Sequence, residues 1–244
     1  MLSVCAYSFD LSNLQIQKRR NHGIIPQHCN QSTVKHITNP LNLAKPLLTY
    51  GLSFSFILLA LYNGQDFLRY ERSLILEGEY WRLLGAHFAH LNLTHLALNL
   101  AGWWLFLLLC GHLFSSKQLT INILILALGI SFGLLILRTD FQWYLGFSGV
   151  LYGLLLIGSL RFALQEQRLI GALIFGTLTV KMALDIYSGQ TNTSALLIGA
   201  PVATVAHVYG LIIGLLLSLP ALAKASSIKQ TPATQINKTH KNKK

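Results

Sequence analysis

Residues 81–113, WRLLGAHFAHLNLTHLALNLAGWWLFLLLCGHL, decide the fold. From Leu93 to Leu113 there is no Asp, Glu, Lys or Arg. The run is close to the ~20 apolar residues that an α-helix needs to cross a bilayer. Asn92 or Thr94 supplies the oxygen that caps its start, which places His95 in the first turn. Its most polar side chains are His95 and Asn99 near the start and His112 at the far end.

Outward from this stretch the sequence carries five more apolar spans, at Pro46 to Tyr62, Leu119 to Leu137, Phe147 to Leu164, Leu169 to Tyr187 and Val202 to Ala223. The pattern predicts an all-α membrane protein. A six-transmembrane-helix bundle over residues 46–223 is flanked by a polar tail, 1–45, and a disordered basic tail, 224–244. Composition points the same way. The chain is 52% hydrophobic and 11% charged over 244 residues, where a soluble domain carries about a quarter charged residues. Whole-chain disorder and a nucleic-acid module are poor fits. The net charge of +11 is concentrated at the ends: of 19 Lys and Arg, five precede the first span and six follow the last. Such tails suit a lipid bilayer as partner and not nucleic acid. Cys5, Cys29 and Cys110 are too few and too scattered for a disulfide framework or a thiolate metal site. The first fifteen residues lack a basic leader followed by an apolar run, so a cleaved signal peptide is not expected.

Six spans put both ends on one side. Arg69, Arg72, Arg82 and Arg138 then share one face of the membrane, and Lys117, Arg161 and Arg168 the other. Lys35, Lys45, Lys224 and Lys229 tip the balance toward both termini in the cytoplasm, as in a bacterial inner membrane with the opposite face periplasmic. Spans two, four and six all start from that outer face. Their early residues, His95 and Asn99, Ser148, and His207, fall in one layer, with His207 about 9 Å along a helix counted from Pro201.

Each element of that layer has a bland reading beside a chemical one. His95 and Asn99 are four apart on one helix face, and offer donors of the kind an oxyanion hole uses; equally, they suit interhelical hydrogen bonding. GFSGVLYG, residues 146–153, opens span four. Gly146 and Gly149 flank Ser148 and let another backbone approach its hydroxyl. Val150 breaks the soluble hydrolase pattern G-x-S-x-G, and Gly149 with Gly153 alone predicts only tight packing. Tyr152 shares the face of Ser148. AHVYGLIIG, residues 206–214, carries His207, whose neutral imidazole is the form that a general base must take. Gly210 and Gly214 make a second small-residue stripe, suited to the glycine face of span four. That pairing brings Ser148 and His207 together. Lys181 and Asp185, four apart in span five, read as a self-neutralising pair with Lys181 reaching toward the headgroups.

WRLLGAHFAHLNLTHLALNL, GFSGVLYG and AHVYGLIIG, in that order on spans two, four and six, resemble the rhomboid intramembrane serine proteases. The resemblance runs from about Tyr80 to Leu217. The text GAHFAHLN before span two and AHVYG in span six looks most like the rhombosortase branch. The resemblance implies Ser148 as nucleophile and His207 as general base, a dyad without a third acid. It implies His95 and Asn99 as oxyanion stabilisers, helped by the Ser148 N–H, and Tyr152 as the ring stacked on the base. Trp81 and Arg82 match a structural pair of the first outer loop, Gly210 the small residue that lets the catalytic helices touch, and His90 a hydrogen-bonding residue of that loop; His87 has a looser counterpart. It further implies no metal and no cofactor. The expected substrates are transmembrane proteins with a C-terminal anchor of Gly-Gly, apolar helix and basic tail, admitted past spans five and six. A role for Lys181 in substrate recognition is a sharper reading of its pair with Asp185.

Two other classes compete. A six-span transporter or metal-handling channel would use His87, His90, His95 and His112, but His112 falls at the far end of span two, no membrane carboxylate cluster accompanies the set, and H-E-x-x-H is absent. A catalytically inactive client-binding relative would lack the serine or the histidine, and this chain keeps both.

Overall fold

Asn92 is the residue that caps the decisive helix: its side-chain oxygen accepts the His95 N–H at 2.9 Å. A computed structural model describes residues 40–165, 167–189 and 193–230. Along it run α1 (Pro40–Leu61), α2 (Gln65–Leu68), β1 (Tyr70–Glu71), α3 (Arg72–Leu76), α4 (Arg82–Gly85), α5 (Leu93–Cys110), α6 (Ser116–Leu137), β2 (Trp143–Tyr144), α7 (Ser148–Leu164), α8 (Arg168–Ser188), α9 (Thr193–Ile198) and α10 (Thr204–Gln230). A 3-10 turn, Gly111–Leu113, extends α5. Four helices are long and apolar enough to cross a membrane: α5 with its extension, α6, α8, and α10 as far as Ala225. Two shorter apolar helices, Leu48–Leu61 and α7, complete the bundle. Leu108, Ile136, Leu169 and Leu173 are among the large apolar side chains turned outward. This is the surface of an integral membrane protein.

The observed ends depart from the expected ones in three places. α1 already begins at Pro40, inside the stretch read as tail, while residues 1–39 lie outside the described ones. The last helix starts at Thr204, not Val202, so His207 sits in its first turn. It also runs on to Gln230, into the stretch expected to be disordered, because residues 221–230 are Ala, Leu, Lys, Ser, Ile and Gln, with no breaker. Residues 231–244 are outside the described ones.

The fold is not wholly helical. β1 and β2 pair antiparallel, Tyr70 opposite Tyr144 and Glu71 opposite Trp143. The ribbon joins the loop after α1 to the loop before α7, and Tyr70 and Tyr144 are both buried beneath it. Arg72 adds a second tie, donating to the Leu135 carbonyl at 2.6 Å. At the other end of the bundle, Arg161 donates to the Leu113 carbonyl at 2.5 Å and lies over the Phe114 ring. The basic residues of the two loop sets are thus segregated to opposite ends.

α7 is the hub. It packs on α5, α6, α8 and, most extensively, α10. In lipid there is little hydrophobic gain from pressing helices together, so close backbone contact must supply the attraction. Gly149 lies against the Ala206 carbonyl, Gly153 against that of Gly210, Gly210 against that of Gly149, and Gly214 against that of Gly153. The two glycine stripes therefore mesh as their spacing suggested. A methyl group on Gly210 would collide with the Gly149 carbonyl. A Gly210→Val variant should lose about 1–3 kcal/mol of stability from overpacking, read as a lower unfolding midpoint in detergent. An unchanged midpoint would show that the helices do not meet there.

Candidate active site

Ser148 is the first residue of α7, and the residues before it hold it in place. Phe147 is fully buried among Phe54, Phe88 and Trp103, with ring centroids 4.9, 6.5 and 6.0 Å away. Gly146 has φ +114°, a backbone state that side chains rarely tolerate. A methyl there would also strike the His95 ring. Its N–H donates to the Ala86 carbonyl at 2.8 Å, and its carbonyl accepts the Tyr144 hydroxyl. Burial pushes the Tyr144 phenol well above its ordinary range, so that donor keeps its proton. The ribbon thus sets the loop that sets the serine.

The glycine contact of α7 with α10 places His207 beside it. Ser148 Oγ and His207 Nε2 are 2.8 Å apart. His207 is 4% exposed, and the Tyr152 ring lies flat upon it, centroids 4.4 Å apart and planes 9° from parallel. His207 Nδ1 has no hydrogen-bond partner among the described residues. With Nδ1 carrying the ring proton, Nε2 is free to accept from the serine.

His95 and Asn99 form the facing wall on α5. The Asn99 amide donates one hydrogen to the His95 carbonyl at 3.0 Å, leaving a second available. Both line a cavity of about 690 Å³ together with Ser148, His207, Tyr152 and Lys181. The first N–H groups of a helix have no partner within it, so the Ser148 end of α7 adds main-chain donors. A hydroxyl, a neutral imidazole and a set of fixed donors around one cavity are the parts that addition to a carbonyl requires.

The other predicted residues build the surroundings. Buried Arg82 binds Glu79 at 2.6 Å and the carbonyls of Asp66 and Arg69 at 3.0 and 2.9 Å. Trp81 stacks on Phe67 and donates to its carbonyl at 3.1 Å. Both brace the loop between α1 and α5. His90 was expected to hydrogen-bond within that loop. Its ring nitrogens instead make no well-formed bond, with only an approach to the Phe88 main chain, and it packs edge-on against His95 at 5.1 Å. Full burial leaves it a neutral wedge under the wall. His87, in contrast, is a bonded residue: Ser131 donates to the Leu83 carbonyl at 2.6 Å, so His87 Nε2 donates to Ser131 at 3.0 Å. His112 packs on Phe162 at the distant end. Among the described residues no three of His, Cys, Asp and Glu converge on a metal-sized gap.

Of the two acids nearest the site, Asp140 is exposed and paired with Arg138 at 2.7 Å, which lowers its pKa to about 2. Asp185 is buried and bonded to Lys181 and to the Tyr152 hydroxyl. Lys181 and Asp185 form the expected self-neutralising pair. Sequence reasoning missed Tyr144, the Ala86 carbonyl and the Asp185–Tyr152 bond. The first two depend on a two-residue ribbon too short to leave a periodic signal. The third was signalled by an acid in an apolar span, but its partner lies on another helix.

Burial lowers the pKa of His87 to about 4 and of His90 to about 3. Both are neutral in the folded protein at pH values where the unfolded chain, titrating at the ordinary histidine value of 6.5, takes up protons. Stability is therefore full above that value and falls as pH drops through it toward about 4 and then 3. The unfolding midpoint in detergent should decline between about pH 7 and pH 4, and less steeply in His87→Gln. A flat profile in the unmodified protein would contradict this burial.

A family model described as the Rhomboid domain matches residues 77–224. That stretch holds every residue of the site. No match to a curated protein is found.

Proposed function

The chain belongs to the rhomboid family, and from that premise we propose that it is an intramembrane serine protease in which Ser148 attacks and His207 acts as base. Rhomboid proteases act on membrane-protein substrates within the bilayer, so the substrate arrives as a transmembrane segment. The reading rests chiefly on one observation, the 2.8 Å approach of Ser148 Oγ to His207 Nε2 at the wall of a donor-lined cavity.

The chemistry follows from the positions. Ser148 Oγ adds to the scissile carbonyl carbon while His207 Nε2 takes its proton. The negative charge that forms on the carbonyl oxygen is held by the Ser148 N–H, His95 and the free Asn99 hydrogen. As the C–N bond breaks, His207 returns the proton to the leaving amine. Water then repeats the sequence on the acyl-enzyme and releases Ser148. The three donor groups lie at or within two turns of helix starts, in the layer nearest the outer face, where water and lipid-embedded substrate both have access.

Support for a lateral route comes from the helices that flank the cavity. α5 and α8 line it on two sides without packing extensively on one another, whereas α8 packs on α7 and also on α10. A substrate helix is admitted most readily between α5 and α8, where few contacts must break. It must unwind to expose its peptide bond, which favours small residues at the cut.

The finer reading takes six membrane crossings, both termini cytoplasmic and the site on the periplasmic side of a bacterial inner membrane. The substrates are exported proteins with a C-terminal Gly-Gly, apolar helix and basic tail, as in the rhombosortase branch that GAHFAHLN and AHVYG resemble. Co-expression with such a protein should yield a C-terminus shortened at the small residues, read by mass spectrometry. Ser148→Ala and His207→Ala should leave it intact, and Asn99→Ala should slow cleavage by about 10²-fold. Cleavage that survives Ser148→Ala would overturn the reading.

A further inference from the structure

Asp185 has 2% of its surface exposed, stands in the apolar helix α8, and has no part in the steps above. A buried carboxylate is expensive unless it is paired and hydrogen-bonded. Lys181 Nζ reaches both of its oxygens, at 2.5 and 2.6 Å, and the Tyr152 hydroxyl donates to Oδ2 at 3.2 Å. The phenol ring on the other end of that bond is the one stacked on His207. A line of contacts therefore runs from Lys181 through Asp185 and Tyr152 to the imidazole that faces Ser148. It does not pass through His207 Nδ1, which is buried and unpartnered among the described residues.

Resting on the protease reading, we propose that Asp185 is a positioning residue: acting through the Tyr152 ring, it does for His207 what a triad acid does through Nδ1. Two effects are involved. The O–H···carboxylate bond pins the tilt of the phenol, so the imidazole is clamped in the plane that aims Nε2 at the serine. A phenol donating to a carboxylate also carries more electron density on its ring. The face of that ring then attracts the imidazolium that forms when His207 takes the proton. Lys181, bonded to both oxygens, holds the carboxylate in place. The bond further ties α7 to α8, so a displacement of α8 is felt at the base.

Purified protein treated with a fluorophosphonate tests this without a known substrate. Tyr152→Phe keeps the ring but loses the bond, and Asp185→Asn loses the charge. Each should lower the maximal rate of Ser148 labelling about tenfold, the effect of losing one charge-assisted hydrogen bond. The probe concentration at half-saturation should not change. The double variant should be no slower than either single one, and Asp185→Glu should recover part of the rate. A merely structural pair would instead lower the unfolding midpoint and leave the Tyr152→Phe rate unaltered. Wild-type rates in Tyr152→Phe, or losses that multiply in the double variant, would overturn the proposal. Should Asp185→Asn not fold, Tyr152→Phe decides alone. Wild-type protein that fails to label overturns the protease reading and this one together, whereas labelled wild type with unaffected variants overturns only this one.

Discussion

The close approach of two helix backbones is the constraint on which the rest depends. α7 and α10 each present glycine every fourth residue, and the carbonyls of one lie directly on the glycines of the other. In water, such contact would add little to hydrophobic burial. In lipid, where side chains gain nothing by leaving one apolar medium for another, backbone proximity and dispersion are the available attraction. The stripe also sets depth. Because Gly149 follows Ser148 and Gly210 lies one turn beyond His207, the meshing that holds the helices fixes the register of hydroxyl and imidazole.

That contact locates the pair along the helices but not the side chains' orientation, which comes from two further layers. On the serine side, Phe147 is locked in an aromatic cluster, and Gly146 is held by Ala86 and Tyr144, a scaffold the loop ribbon completes. On the histidine side, Tyr152 covers the ring, and its own hydroxyl is anchored on α8. An imidazole with an unpartnered Nδ1 is free to rotate unless packing restrains it, and the stacked phenol supplies that restraint. Donors on α5 close the remaining side. Four helices thus share the site, and none forms it alone.

Much of this was legible from residue order because bilayer helices leave strong signals. Apolar runs near the length of a crossing marked the helices, and the polar side chains near the starts of three of them marked the layer. The glycine spacing named the helix pair that meets. The two-stranded ribbon was not legible, since two residues per strand carry no periodicity. Helix starts set by caps were ambiguous: Asn92 and Thr94 both qualified, and the Val202 start for α10 was two residues early. The Asp185–Tyr152 bond was hidden for a different reason. The i,i+4 spacing exposed the partnership of Lys181 with Asp185, but contacts to another helix depend on how each rotates about its axis. His90 shows the converse, a polar residue expected to bond whose ring packs edge-on against His95 and makes only an approach to the Phe88 main chain.

The most direct test is an experimental structure of the protein after reaction with a phosphonate that mimics the tetrahedral intermediate. The account predicts phosphorus bonded to Ser148 Oγ, its oxygen turned toward His95, Asn99 and the Ser148 N–H, and His207 within hydrogen-bond distance beneath Tyr152. Phosphorus on another side chain, or Ser148 and His207 held apart by α7 and α10 crossing elsewhere than at their glycines, would contradict it.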